Sequence, residues 1–169
     1  MAPPVAISSP SRVRQGIEQT VVLKHRLEID APIERVFALV DDPQKIKLWM
    51  RGLEETVYKT KRNRQHPVGT RFTQRIKQGR RISEYDGEVT AYERPTHLGL
   101  RIGNDQFAFD VDYRLADLGG RTRLEYTATG ADPKGLARPA GAFFALVTRR
   151  ISAKQMRRLK AVAESRPKR

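Results

Sequence analysis

Three carboxylates at alternate positions, Glu84, Asp86 and Glu88, are the first group in this chain that has the spacing for general acid and base chemistry. Alternation places them on one face of a strand. The strand before it carries Arg71, Arg75 and Lys77 on its own outer face, and the tight turn at Gln78-Gly79 joins the two. Cross-strand ion pairs on a solvated face therefore account for the three acids without catalysis. The same reasoning sets Asp110 and Asp112 against Arg123. Of the three histidines, His66 and His97 fall at expected turns, and no metal-ligand spacing connects them with His25. No metal site is expected. His25 alternates with Leu23, Leu27 and Ile29 and so faces inward, where it reads either as a satisfied core histidine or as a proton carrier near neutral pH. No glycine-rich phosphate loop, nucleophile elbow or dinucleotide fingerprint is present, and no cofactor is expected.

The elements that must hold these residues follow from the pattern of apolar positions. Apolar residues alternate at about 20–30, 53–61, 69–77, 81–92, 96–102, 106–115 and 121–129, with turn signals between them such as Arg94-Pro95 and Leu118-Gly119-Gly120. The first strand stops at Ala31-Pro32, and two short amphipathic helices follow without a linker. One buries Ile33, Val36, Phe37 and Val40, with Asp41 off its apolar face; the next is capped at Asp42-Pro43 and carries Ile46, Trp49 and Met50. From Pro139 to about Glu164 a helix spanning roughly 38 Å is expected. Its apolar stripe reads Phe143, Phe144, Val147, Ile151, Leu159 and Val162, with Arg149, Arg150, Lys154, Arg157 and Lys160 elsewhere. The plan is α+β: a seven-stranded curved antiparallel sheet wrapped around a long C-terminal helix, with two short helices between strands 1 and 2.

The chain has 169 residues, enough for one domain with a real core. Residues 1–18, rich in Pro and Ser, read as a disordered or loosely docked arm, residues 19–165 as the single domain, and residues 166–169 as a basic tail. With no cysteine, disulfides, thiolate metal sites and cysteine nucleophiles are excluded, and with neither a signal peptide nor a membrane span in view the expected location is cytoplasmic. The formal charge of +14 is concentrated near the C-terminus, where from residue 134 onward Glu164 is the single acid. An anionic membrane surface is thus a candidate partner. Arg150, Lys154 and Arg157 form a ridge at helical spacing with no aromatic stacking platform, which argues against nucleic-acid readout.

Strand alternation also selects an inner lining. It gives Phe72 and Gln74; Tyr85 with Val89 and Ala91; Phe107, Phe109, Val111, Tyr113 and Leu115; then Leu124, Tyr126 and Ala128. Phe144, Thr148 and Gln155 would meet this face from the terminal helix, and Trp49 would either line the mouth or anchor its own helix. Apolar walls with a few hydroxyl and amide groups suit a small-molecule cavity, and equally a packed core whose hydroxyls bond to backbone.

The segments Ile29-Asp-Ala-Pro-Ile-Glu-Arg-Val-Phe37, Asp41-Asp-Pro43 with Leu48-Trp49, Val68-Gly-Thr-Arg-Phe72, Gly87-Glu-Val-Thr-Ala-Tyr-Glu-Arg-Pro95, Gly119-Gly-Arg-Thr-Arg-Leu124 and Leu159-Lys-Ala-Val-Ala-Glu164 form a set. Together they resemble the START-like SRPBCC superfamily, in particular its polyketide cyclase/dehydrase and lipid-transport branch. The likeness runs from about residue 20 to 164 and implies a helix-grip fold with a deep cavity between sheet and terminal helix. Arg121, inserted between the glycine pair and Thr122, departs from the pattern. The resemblance favours an internal site for a small hydrophobic ligand, lipid, polyketide or isoprenoid-like, in a carrier or sensor. The alternative is a cyclase or dehydratase using His25 or Tyr85 as acid/base with Gln74 orienting the substrate. A third reading makes the basic terminal helix a docking surface.

Overall fold

The computed structural model describes residues 20–63, 65–104, 108–131 and 138–165. The expected N-terminal arm and basic tail lie outside these residues. Strand β1 (Thr20–Ile29) is followed by helices α1 (Ile33–Asp41) and α2 (Pro43–Trp49). Strands β2 (Leu53–Tyr58), β3 (Arg71–Gln78), β4 (Arg81–Glu93), β5 (His97–Gly103), β6 (Ala108–Asp117) and β7 (Thr122–Ala131) come next, and helix α3 (Arg138–Glu164) last. The seven strands form one antiparallel sheet in the order β1-β7-β6-β5-β4-β3-β2. This is the expected α+β helix-grip plan.

Local chemistry sets the joints. Pro32 precedes α1, and Asp42 caps α2 by accepting the Gln44 N–H at 2.9 Å, with Pro43 at the first helical position. At the β6–β7 turn the Asp117 carboxylate accepts the N–H groups of Gly119 and Gly120, whose φ angles of 75° and 88° favour glycine. Arg121 is absorbed by this turn, and Asp117 pairs directly with Thr122. Gly87 and Gly130 thin the sheet where aromatic rings cross it. A Cβ at either position would stand 2.3 Å from the ring of Phe72 or Phe109 respectively.

Four sequence expectations change. A bulge between Val89 and Ala91 shifts the phase of β4, so that Tyr92, opposite buried Leu98, faces inward in place of Ala91. Among the described side chains of α3 the buried positions are Ser152, Met156, Leu159 and Ala163, while Ile151 is 52% exposed. Ser152, not Ile151, meets His25 on β1, while Leu159 and half-buried Val162 keep the expected face and the side chains of Phe143, Phe144 and Val147 lie outside the described residues. Asp110 pairs with Arg101, and Asp112 with His97 and Arg114, whereas Arg123 faces Ala116. His97 is accordingly the first residue of β5, not a turn residue.

The acids of β4 lie on the outer face as expected, although Asp86 pairs outside β3 and Lys77 pairs with Glu54. Glu88 pairs with Arg71 at 3.2 Å, Glu84 with Arg75 at 3.3 Å, and Asp86 with Lys59 at 2.9 Å. These are exposed pairs on the convex side of the sheet. Helix α3 closes the other side, fastened by the His25–Ser152 contact, by Glu164 Oε1 accepting the Asp30 N–H at 2.9 Å, and by Arg35 donating to the Ser165 carbonyl. Among the described residues no helix is long and apolar enough to cross a membrane.

Candidate functional site

Register partners across the sheet share a face, so the inner surface can be read as rows running perpendicular to the strands. One row passes from β1 to β4 through His25, Tyr126, Tyr113, Leu98 and Tyr92. The His25 and Tyr126 rings are 5.9 Å apart, and those of Tyr126 and Tyr113 5.2 Å. His25 Nε2 lies 2.5 Å from Ser152 Oγ on α3. Burial, with the Arg149 charge second, lowers the His25 pKa below its ordinary value. Burial also pushes Tyr126 up to about 12 and Tyr113 well above its ordinary value. At neutral pH the row therefore consists of neutral groups: imidazole free to accept a proton, and hydroxyls that donate without ionising.

The far end of this row opens into a cleft of about 650 Å³ between the α1–α2 junction, β2, and the connection after β2. Tyr92 donates its hydroxyl to Asp41 Oδ2 at 3.2 Å, and Arg62 donates to Asp41 Oδ1 in an ion pair whose side chains are only 21% and 16% exposed. The Arg62 guanidinium also donates to the Tyr58 hydroxyl at 3.1 Å and sits 5.5 Å from the centre of the Tyr58 ring. Tyr58 and Tyr92 are both raised in pKa, chiefly by burial. Beneath the cleft is an apolar recess of about 40 Å³ lined in part by Val40, Ile46, Phe72, Val89 and Leu100. Gln74 reaches this recess, and so does Thr56, whose Oγ1 is buried without a hydrogen-bond partner.

The sequence-derived lining is thus distributed unevenly. Phe72 and Gln74 border the recess; Gln74 faces Thr56 on one side and half-buried Tyr85 on the other. His25, Tyr113 and Tyr126 form the row under α3, where Thr148 and Gln155 are half-buried. Four strand spacings separate His25 from Tyr85, roughly 19 Å, so the two cannot act on one atom. Phe109 packs across Gly130. Trp49 is buried and donates its indole N–H to the Leu39 carbonyl at 2.7 Å, the geometry of a helix anchor. Phe107 and the Phe144 side chain lie outside the described residues. Asp41, Tyr58, Arg62 and Tyr92 were not singled out by sequence. Tyr92 was hidden by the bulge, and Arg62 lies in a connection without periodicity. Among the described residues no group of three His, Asp or Glu could hold a metal ion.

A family model described as polyketide cyclase/dehydrase and lipid transport matches residues 20–164. The chain belongs to this family. The polyketide cyclase/dehydrase match spans β1 to the end of α3, and so includes both the row and the cleft. Solved structures share the fold at low identity. The Zhui aromatase/cyclase from Streptomyces sp. R1128 is 13% identical with a TM-score of 0.69, over 86% of this chain and 94% of that one. The di-domain aromatase/cyclase StfQ of the steffimycin biosynthetic pathway is 12% identical with a TM-score of 0.69, over 88% of this chain and 52% of that one. Ara h 8.0201 is 11% identical with a TM-score of 0.65, over 85% of this chain and 97% of that one. No curated protein is matched by the chain.

Proposed function

We propose that the protein binds a small hydrophobic molecule of lipid, polyketide or isoprenoid type in the space between sheet and helices, acting as a carrier or sensor. The observation that carries this reading is the cleft of about 650 Å³ opening over an apolar recess, with the Thr56 hydroxyl buried and unpartnered between them. The cleft supplies the polar groups that orient such a ligand, among them Gln44, Tyr58 and Tyr92, and the recess supplies the apolar surface for its end. A buried hydroxyl without a partner costs about 1–3 kcal/mol unless a ligand or water satisfies it. Native mass spectrometry of protein purified from its own host should find a co-purifying hydrophobic species. Failure to find one, together with no uptake of a fluorescent apolar probe, would remove the reading.

A second reading, catalysis on a polyketide-like chain, is favoured by His25, whose lowered pKa leaves a neutral imidazole beside Ser152. In that case proximity and orientation in the cavity supply much of the rate. Turnover unchanged in both His25→Gln and Tyr85→Phe would exclude it. The exposed Arg150, Lys154 and Arg157 on α3 further support attraction to anionic membranes. Sedimentation with phosphatidylserine vesicles should then fall steeply as salt is raised.

A further inference from the structure

The cleft has a positive bias that the carrier reading does not use. Lys45, Arg62 and Arg94 line it against Asp41 and Asp42. Of the two acids, Asp42 is occupied in capping α2, which leaves Asp41 to meet Arg62. Arg62 borders both the cleft and the apolar recess, so its guanidinium stands where the polar and apolar spaces meet. A guanidinium offers five N–H donors in a fixed fork suited to oxyanions, and here the described acceptors are Asp41 and the Tyr58 hydroxyl. An incoming oxyanion keeps the Arg62 charge paired, and the displaced Asp41 carboxylate stays with the Tyr92 hydroxyl in a cleft that Lys45 and Arg94 also line. The buried Thr56 hydroxyl adds an unused hydrogen-bonding group at the same junction.

We infer that the cleft takes an anionic amphiphile, a carboxylate or comparable oxyanion on an apolar body, whose head group replaces the Asp41 carboxylate on Arg62. This rests on the reading that the cleft binds a small molecule, and it names that molecule's class. The apolar body lies in the cleft along Ala38, Pro43 and the Tyr58 ring, and only its end reaches toward Phe72 and Leu100, since the recess holds about 40 Å³. Asp41, released from Arg62, keeps the hydrogen bond from Tyr92.

Two dyes that differ by one sulfonate test the assignment: 8-anilinonaphthalene-1-sulfonate and neutral N-phenyl-1-naphthylamine, titrated by fluorescence. The wild type should bind the sulfonate about tenfold more tightly than the amine. Arg62→Gln should weaken sulfonate binding about tenfold and leave the amine within about twofold, whereas Asp41→Asn, which frees Arg62, should strengthen sulfonate binding. The double variant Asp41→Asn/Arg62→Gln, which leaves no unpaired charge, should lose the preference for the anion even if Arg62→Gln alone folds poorly. Equal binding of both dyes to the wild type overturns the inference and leaves the carrier reading standing. Weaker sulfonate binding in Asp41→Asn overturns it too, as does an effect of Lys154→Gln/Arg157→Gln as large as that of Arg62→Gln, since the anion would then sit on α3. Binding of neither dye removes the carrier reading and this one with it.

Discussion

At the residue scale, His25 and Thr56 are two side chains whose settings differ from what their types prefer. His25 is held neutral by burial and by the Arg149 charge, with Tyr126 and Ser152 as its neighbours. A histidine with a depressed folded-state pKa contributes its stability above its unfolded value of about 6.5 and loses it as pH falls through the lowered folded value. Wild-type Tm should therefore drop on acidification below about pH 6.5 more than that of His25→Gln, with His66 and His97 common to both proteins. Parallel melting profiles across that range would contradict the assignment. Thr56 calls for the opposite expectation. Its Oγ1 is buried and unpartnered, so the near-isosteric Thr56→Val should stabilise the unliganded protein by about 1 kcal/mol in denaturant unfolding. It should also weaken binding of a ligand that reaches the recess. Neither setting could be read from the sequence, because Ser152 lies 127 residues from His25 and Thr56 gains its neighbours from α1, α2 and β3.

At the element scale, the sheet sets glycines against aromatic rings of neighbouring strands. Gly87 leaves room for the Phe72 ring, and an added Cβ at 2.3 Å from that ring could not be accommodated without displacing it. Gly87→Ala should cost about 1–3 kcal/mol, and the double variant Gly87→Ala/Phe72→Leu should recover part of that loss. A purely additive result in equilibrium unfolding would show that the ring is not the obstacle. Helix α3 is the closing element. Leu159 is fully buried, so Leu159→Ala should lose about 2–5 kcal/mol, while Ile151→Ala on the exposed side should change stability by about 0.5 kcal/mol or less. The order of elements, the strand-to-helix break at Ala31-Pro32 and the Asp42-Pro43 cap were legible in the sequence, because each depends on residues adjacent in the chain. The facing of α3 was legible at Leu159 and Val162 but not at Ile151. Its apolar stripe admits more than one rotation, and the contacts of Ser152 and Met156 against the rest of the fold choose between them.

At the scale of the whole molecule, a formal charge of +14 sits on a sheet whose convex face is laced with ion pairs and on a helix whose exposed cations have few acids near them. Exposed pairs of this kind contribute little, whereas repulsion among like charges is screened by salt. Raising ionic strength should increase Tm by about 2–4 °C, and neutralising Arg150 and Lys154 together should reduce that dependence. By itself the sequence determined the α+β plan, the inward residues of most strands and the reading of Glu84, Asp86 and Glu88 as outer-face acids, since strand period and turn chemistry are local. Only the tertiary structure decided where the cleft opens. The bulge at Thr90 turns Tyr92 inward, the end of α1 presents Asp41, and an aperiodic connection delivers Arg62. These groups are far apart in the chain and share no pattern, and packing alone brings them to one ion pair at the mouth of the cavity.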